Sequence, residues 1–202
     1  MKLSMIFMAS GFGKRFGSNK LVALLKEKPL YLHGLEHLCR AADKLEKEGC
    51  VQPDLIVVSQ YGQILDRASQ MGLSAVYNSR SAEGITASLR LGTEASGEDA
   101  DCFLYFVADQ PYMTPETLVR FVKGFLESGK GIGGVCCQGK TGNPVIFQSI
   151  YRKELLSLSG DKGGKQIMKA HPEDVWTMEV AGEELKDIDL PSDLDGIDPA
   201  GN

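Results

Sequence analysis

"MASGFGKRFGSNK", residues 8–20, stands directly behind the apolar run Leu3-Ser4-Met5-Ile6-Phe7 and places three glycines and three cations on thirteen positions. The apolar run reads as a first buried strand, and the chain leaves it through a loop poor in side chains and rich in positive charge. Glycine lets backbone N–H groups approach a ligand closely, and Lys14, Arg15 and Lys20 add point charges and a planar fork. That combination suits phosphate.

Spacing excludes one phosphate loop and disfavours a second, which leaves a Rossmann oxidoreductase as the most distant alternative. A Walker A loop needs G-x-x-x-x-G-K-[ST], whereas Gly17 is followed by Ser18-Asn19-Lys20. A dinucleotide fingerprint needs a tight glycine turn running straight into a helix, with an acid at the end of the second strand. Here G-F-G-K-R-F-G is one residue too long, the second strand ends in Val58-Ser59-Gln60 with no acid, and no helix begins before about Pro29. The ligand-facing segment is therefore an extended loop with Leu21-Val22-Ala23-Leu24-Leu25 behind it.

Outward from the loop, short β-rich runs alternate with stretches of helical period. Leu30, Leu32, His33, Leu35, Leu38, Ala42 and Leu45 predict a helix opened by Pro29 and closed near Gly49. Leu55-Ile56-Val57-Val58 reads as a strand, 62–71 as a helix, 73–77 as a strand, 85–95 as a helix and 102–108 as a continuous apolar strand. Thr114-Pro115-Glu116 signals a helix start, with its end near Ser128. This alternation predicts a mostly parallel sheet covered on both faces, a three-layer α/β/α domain. From Gly129 the texture changes, with strands at 131–137, 144–148 and 175–180 and glycine-rich turns at 139–142 and 160–164. We read these as an antiparallel elaboration of the same sheet, and the acidic segment after Leu194 as a frayed tail.

At 202 residues nothing obliges a second domain, and 43% hydrophobic with 24% charged residues is ordinary for a globular enzyme. The net charge of −5 argues against a general nucleic-acid binder, so an anion site must be local. No apolar stretch is long enough to span a bilayer. The run behind Lys2 is only about as long as the shortest core of a secretory leader and basic residues follow it closely, so no leader is expected, and five cysteines without C-x-x-C spacing suit reduced thiols in a cytoplasm. Cys136 and Cys137, as strand neighbours, are expected on opposite faces rather than as a redox pair. His33 and His37 lie at i and i+4 but have no third ligand near, so packing is the expected role.

The remaining reading of residues 8–20 is an extended turn that wraps a triphosphate and ends in lysine. Met8-Ala9-Ser10-Gly11 through Arg15-Phe16-Gly17 to Lys20 resembles the L-A-A-G-x-x-x-R-[FM]-G-x-x-K loop of the molybdenum cofactor nucleotidyltransferases, MobA-like NTP transferases, and the cytidylyltransferase branch in particular. Five further segments resemble that branch in order: Asn78 through Glu83-Gly84 to Ser88-Leu89, Ala108-Asp109-Gln110-Pro111, Gly142-Asn143-Pro144-Val145, Gly160-Asp161-Lys162-Gly163-Gly164, and Asp187 through Asp189 to Asp193-Leu194. The guanylyltransferase branch would have glycine at Ser10, and Ala108, Asn143 and Gly164 depart from the family pattern.

The resemblance implies a nucleotide-diphospho-sugar transferase-like fold in one domain, 1–202, with a nucleotide-binding half at 1–110 and an acceptor-binding half at 111–202. It implies transfer of CMP from CTP, or another NTP, to the terminal phosphate of a molybdopterin acceptor, with release of pyrophosphate and hand-off to a molybdenum hydroxylase. It further implies a cytoplasmic protein with no nucleic-acid or membrane partner. A sugar- or polyol-phosphate acceptor, and a non-catalytic carrier of nucleotide or molybdopterin, are the alternatives. Arg15, Lys20 and Asp109 are the implied catalytic residues. Nucleotide binding falls to Ala9, Ser10, Gly11, Gly13, Lys14, Arg15, Lys20, Asn78, Gly84, Ser88 and Asp109, and acceptor binding to Gln110, Asn143, Pro144, Gly160, Asp161 and Gly163. Asp161 fits a turn-shaping role equally well. Mg²⁺ is the implied cofactor, held by Asp109 at the end of a strand and by Asp189. If 186–190 is extended, only one of Asp187 and Asp189 is expected inward, and Asp189 is the choice.

Overall fold

A computed structural model describes residues 1–13, 16–160 and 163–194. In chain order the first half contains β1 (Lys2–Ala9), β2 (Leu24–Leu25), β3 (Lys28–Pro29), α1 (Leu30–Lys47), β4 (Gln52–Ser59), α2 (Gly62–Gln70), β5 (Ser74–Tyr77), α3 (Ile85–Ala95) and β6 (Cys102–Val107). The second contains α4 (Pro115–Ser128), β7 (Ile132–Cys137), β8 (Lys140–Gln148), α5 (Arg152–Ser157), α6 (Lys165–Ala170) and β9 (Val175–Glu179). Seven strands form one sheet in the order β5-β4-β1-β6-β8-β7-β9. Pairings β4–β5, β1–β4, β1–β6 and β7–β9 are parallel, and β8 alone runs antiparallel, between β6 and β7. β2 and β3 form a separate small hairpin.

Alternation along β1 explains the layering. Met5 and Phe7 join one buried cluster with Leu35 and Leu38 of α1, Ile64 of α2 and Phe121 of α4, while Ile6 and Met8 join another with Leu89 of α3, Leu155 of α5 and Ile167 of α6. A central strand apolar on both faces needs helices on both, and the fold is three-layer α/β/α with an antiparallel elaboration. α3 approaches β1 so closely that a Cβ at Gly92 would land on Cγ2 of Ile6. Thr114 caps α4, its Oγ1 accepting the Thr117 N–H at 3.2 Å.

Differences from the sequence reading collect after residue 129. The turn expected at 139–142 is narrower: Gln138 and Gly139 both take positive φ, 50° and 76°, and β8 begins at Lys140 rather than 144. Two such residues join antiparallel strands with the right twist. The short helices α5 and α6 were not anticipated. Cys136 is buried and Cys137 half-buried, and all five cysteines are free. His33 Nε2 lies 2.8 Å from the Leu25 carbonyl and His37 Nδ1 2.9 Å from that of Met113, both packing roles. No helix among the described residues is long and apolar enough to cross a membrane. The tail from residue 195 onward lies outside the described residues.

Candidate active site

Register carries the end of β1 to its neighbours: Ala9 pairs with Ser59 of β4, and Met8 with Val107 of β6. Three consecutive side chains at the end of β4 then hold three consecutive carbonyls of the loop. Ser59 Oγ donates to the Ala9 carbonyl at 2.7 Å, Gln60 Nε2 to that of Ser10 at 2.7 Å, and the Tyr61 hydroxyl to that of Gly11 at 2.8 Å. In a trans peptide the N–H opposes the C=O, so the amides of Ser10, Gly11 and Phe12 are turned away from β4. Gln60 Oε1 also accepts from Ser81 Oγ at 3.0 Å, which ties the loop to the opposite wall. Gly13, at φ 58°, closes a tight turn in which a Cβ would meet the Ser18 carbonyl at 2.6 Å.

The loop ends where Asn19 Oδ1 accepts the Leu21 N–H at 3.1 Å and opens a short helical turn. That turn sends Lys20, only 6% exposed, inward. Its Nζ donates to Asp109 Oδ2 at 2.8 Å and to Asp189 Oδ1 at 2.9 Å. Burial alone pulls the Lys20 pKa down, but the two carboxylates outweigh it and hold the ammonium above its ordinary value. Lys20, Asp109 and Asp189 thus meet at one point, although they are 89 and 169 residues apart in sequence.

Residues 185–189 reach that point as a strap across the turn after β6. Ile188 donates its N–H to the Asp109 carbonyl at 3.0 Å and buries its side chain completely. Gln110 Nε2 donates to Asp187 Oδ1 at 2.8 Å and to the Leu185 carbonyl at 3.4 Å. The expectation that only one of Asp187 and Asp189 faces inward is corrected here. Alternation puts i and i+2 on the same side, so Ile188 fills the core while both acids turn to the site. Loss of water and then the nearby Asp109 raise the Asp187 pKa. Gln110 is 4% exposed, and its Oε1 has no hydrogen-bond partner among the described residues.

A cleft of about 650 Å³ opens between these parts. Ser10, Gly11, Gly13, Lys20, Gly84, Ser88, Asp109 and Gly160 all line it. Ala9 and Asn78 do not: both are buried beneath it, Ala9 through its bond to Ser59 and Asn78 through Nδ2 donating to Ser88 Oγ at 3.0 Å. Nor do the acceptor residues share one cavity. The pairing of Tyr105 with Val145 sets Asn143 and Pro144, joined by a cis peptide bond, beside the carboxyl end of β6. Gly163 packs on the start of α3, its N–H reaching Thr86 Oγ1 at 3.4 Å. Lys14, Arg15 and Asp161 lie outside the described residues. Sequence reasoning missed Ser59, Gln60 and Tyr61, and Phe12 in the cleft wall. The available signal was their place at the carboxyl end of the strand beside β1, where ligands of open sheets gather.

The family model described as MobA-like NTP transferase domain matches residues 5–175. The chain belongs to this family. It is a nucleotidyltransferase. A relative from Pyrococcus horikoshii named "Probable molybdenum cofactor guanylyltransferase" is 25% identical over 167 residues, 80% of this chain and 76% of its own. Among solved structures, Rv0371c from Mycobacterium tuberculosis H37Rv superposes with TM-score 0.76 at 23% identity, covering 95% of this chain and 94% of its own. A manganese complex of Rv0371c gives TM-score 0.71 at 20% identity over 90% of each chain. CMP:2-keto-3-deoxy-manno-octonic acid synthetase complexed with CTP gives 0.73 at 14% identity, over 96% of each chain. These structural likenesses establish the NTP transferase fold on which the cleft is built.

Proposed function

We propose that this MobA-like NTP transferase moves CMP from CTP to the terminal phosphate of a molybdopterin-type acceptor and releases pyrophosphate. The observation that carries the reading is that Lys20 and Asp109 line a cleft together with the glycine loop, and that the same Lys20 ammonium also holds Asp189. Donor and acceptor both carry several negative charges, and two unit charges at 4 Å repel by about 1 kcal/mol even in water and by more in a sheltered cleft. Neutralisation and alignment are therefore the work required, and an ionised acceptor phosphate needs no general base.

In this reading the amides of Ser10, Gly11 and Phe12 bind the triphosphate, with Lys14 and Arg15 on the departing pyrophosphate. Lys20 holds the two acids in register and shares the phosphate charge. The donor set fits a hard divalent cation: two carboxylates already converge on one positive charge, at 2.8 and 2.9 Å. Asp109 and Asp189 would hold it, Mg²⁺ in our reading, and the manganese complex of Rv0371c supports a divalent ion. When bound it supplies charge neutralisation at the phosphates. Gln110, Asn143, Pro144, Gly160, Asp161 and Gly163 are assigned to the acceptor, which makes residues 1–110 the nucleotide half and 111–202 the acceptor half. Ser10 favours a pyrimidine, because its side chain narrows a wall that glycine would widen.

The test is pyrophosphate release with CTP, GTP, ATP and UTP, each with molybdopterin and Mg²⁺. The expected result is turnover highest with CTP. Turnover highest with GTP, as the name of the Pyrococcus relative suggests, would move the base assignment. Turnover only with sugar or polyol phosphates would move the acceptor.

A further inference from the structure

We infer that Asn78 fixes the direction of a hydrogen bond from Ser88 to the nucleobase, and that this direction separates cytosine from uracil. The inference rests on the CTP reading above and adds the group that reads the base. α3 and its cap carry four buried hydroxyls with different fates, of which Thr86 Oγ1 accepts the Gly163 N–H at 3.4 Å. Thr93 Oγ1 donates to the Leu89 carbonyl and Ser96 Oγ to the Gly92 carbonyl, each at 2.8 Å and one helical turn back. Ser88 does not bond back in this way. Its Oγ accepts from Asn78 Nδ2 at 3.0 Å, and its own proton has no acceptor among the described residues.

Asn78 cannot reverse that bond cheaply. Its Oδ1 accepts the backbone N–H of Arg80 at 2.9 Å, which leaves Nδ2 as the end facing Ser88. Its own backbone N–H donates to the Ser59 carbonyl at 2.9 Å, and the residue is 1% exposed. Turning the amide over would set its NH₂ against the Arg80 N–H and leave that N–H without its acceptor. Ser88 is therefore a donor toward the cleft, which it lines while being only 3% exposed. A sheltered donor left unmatched is costly, so the group that fills the cleft must bring an acceptor.

Cytosine presents a lone pair at N3, whereas uracil presents an N–H there. Against a fixed donor one base makes a bond, and the other sets two donors head to head. A second serine lining the cleft agrees in polarity. Ser10 Oγ donates to the Val58 carbonyl at 3.3 Å, so its lone pairs are left for an amino group such as the one on C4 of cytosine.

Asn78→Asp keeps the size and the acceptor for Arg80 but replaces the donor. The Ser88 proton then goes to the introduced carboxylate, and its lone pairs face the cleft. Calorimetric titration with CTP, UTP and GTP in Mg²⁺ reads the effect. The wild-type protein is expected to bind CTP about tenfold or more tightly than UTP, and N78D to bring that ratio to about one or below. Ser88→Ala, which puts no new charge in the interior, is expected to bring the ratio to about one by weakening CTP. It decides the case if the melting curve of N78D shows a chain that does not fold. An unchanged ratio in the folded variants, or equal binding of CTP and UTP by the wild type, overturns the inference and leaves nucleotidyl transfer standing. A wild-type protein that binds GTP best, or no triphosphate at all, overturns instead the CTP reading on which it rests.

Discussion

The glycine loop lines the cleft and the acid cluster meets it through Lys20 and Asp109, yet the two are built in opposite ways. The loop is local backbone, its carbonyls held by Ser59, Gln60 and Tyr61 on the adjacent strand. The cluster is made of charged side chains drawn from three distant parts of the chain and locked by a strap whose peg is Ile188. A surface of amides suits holding a triphosphate in its ground state. Converging charges suit a reaction in which charge shifts between phosphates. The contrast teaches that damage to the loop should appear in KM, and damage to the cluster in kcat.

Asp109→Ala should break the comparison most sharply, lowering turnover about a thousandfold or more. Its far-UV circular dichroism should be unchanged and its nucleotide affinity altered only a few-fold. Full activity would end the assignment of this acid. Lys20→Met comes next, with an expected loss of about a hundredfold in kcat, since it strips the charge that Asp109 and Asp189 share. If that variant changed only KM, Lys20 would belong with the loop.

Gln60→Ala probes the other side. It removes bonds to the Ser10 carbonyl and to Ser81 Oγ, and should raise KM for the nucleotide about tenfold with kcat within a few-fold. A fall in kcat alone would erase the distinction. Ser10→Gly should narrow the preference for CTP over GTP by a few-fold in competition assays, and an unchanged preference would remove the steric argument for a pyrimidine.

The smallest effect serves as a control on residues that belong to neither region. Burial, foremost, holds the imidazoles of His33 and His37 on α1 below the ordinary 6.5. The unfolded chain therefore takes up protons first: this contribution to stability is whole above pH 6.5 and declines as the pH falls below it. Thermal midpoints at pH 7.5 and 5.5 should differ in that sense, and His37→Gln should flatten the difference without touching kcat or KM at pH 7.5. A midpoint insensitive to pH across this window would contradict the shifts.

Much of the loop side was legible in the sequence, because its signals are local. The run 3–7, the glycine spacing of 11, 13 and 17, and the strong period of α1 and α3 each lie within a short window. The helpers Ser59, Gln60 and Tyr61 were not, since their role follows from strand register rather than residue type. The acid side was legible only as separate candidates. No spacing reveals that one lysine stands between Asp109 and Asp189. The assignment of Asp189 over Asp187 overlooked that alternate residues of an extended strap share a face. α5 and α6, six residues each, are too short to show a period, and the polar start of β8 at Lys140-Thr141-Gly142 hides a strand that β7 recruits.

The strap has a consequence for the order in which the molecule becomes competent. A ribosome delivers the loop, its β4 helpers and Asp109 before residues 185–189. In the reading proposed above, a nascent chain paused before Ile188 has the loop but lacks Asp189, one of the two acids that would hold the divalent ion, so the order of the parts along the sequence sets the order in which the site is completed.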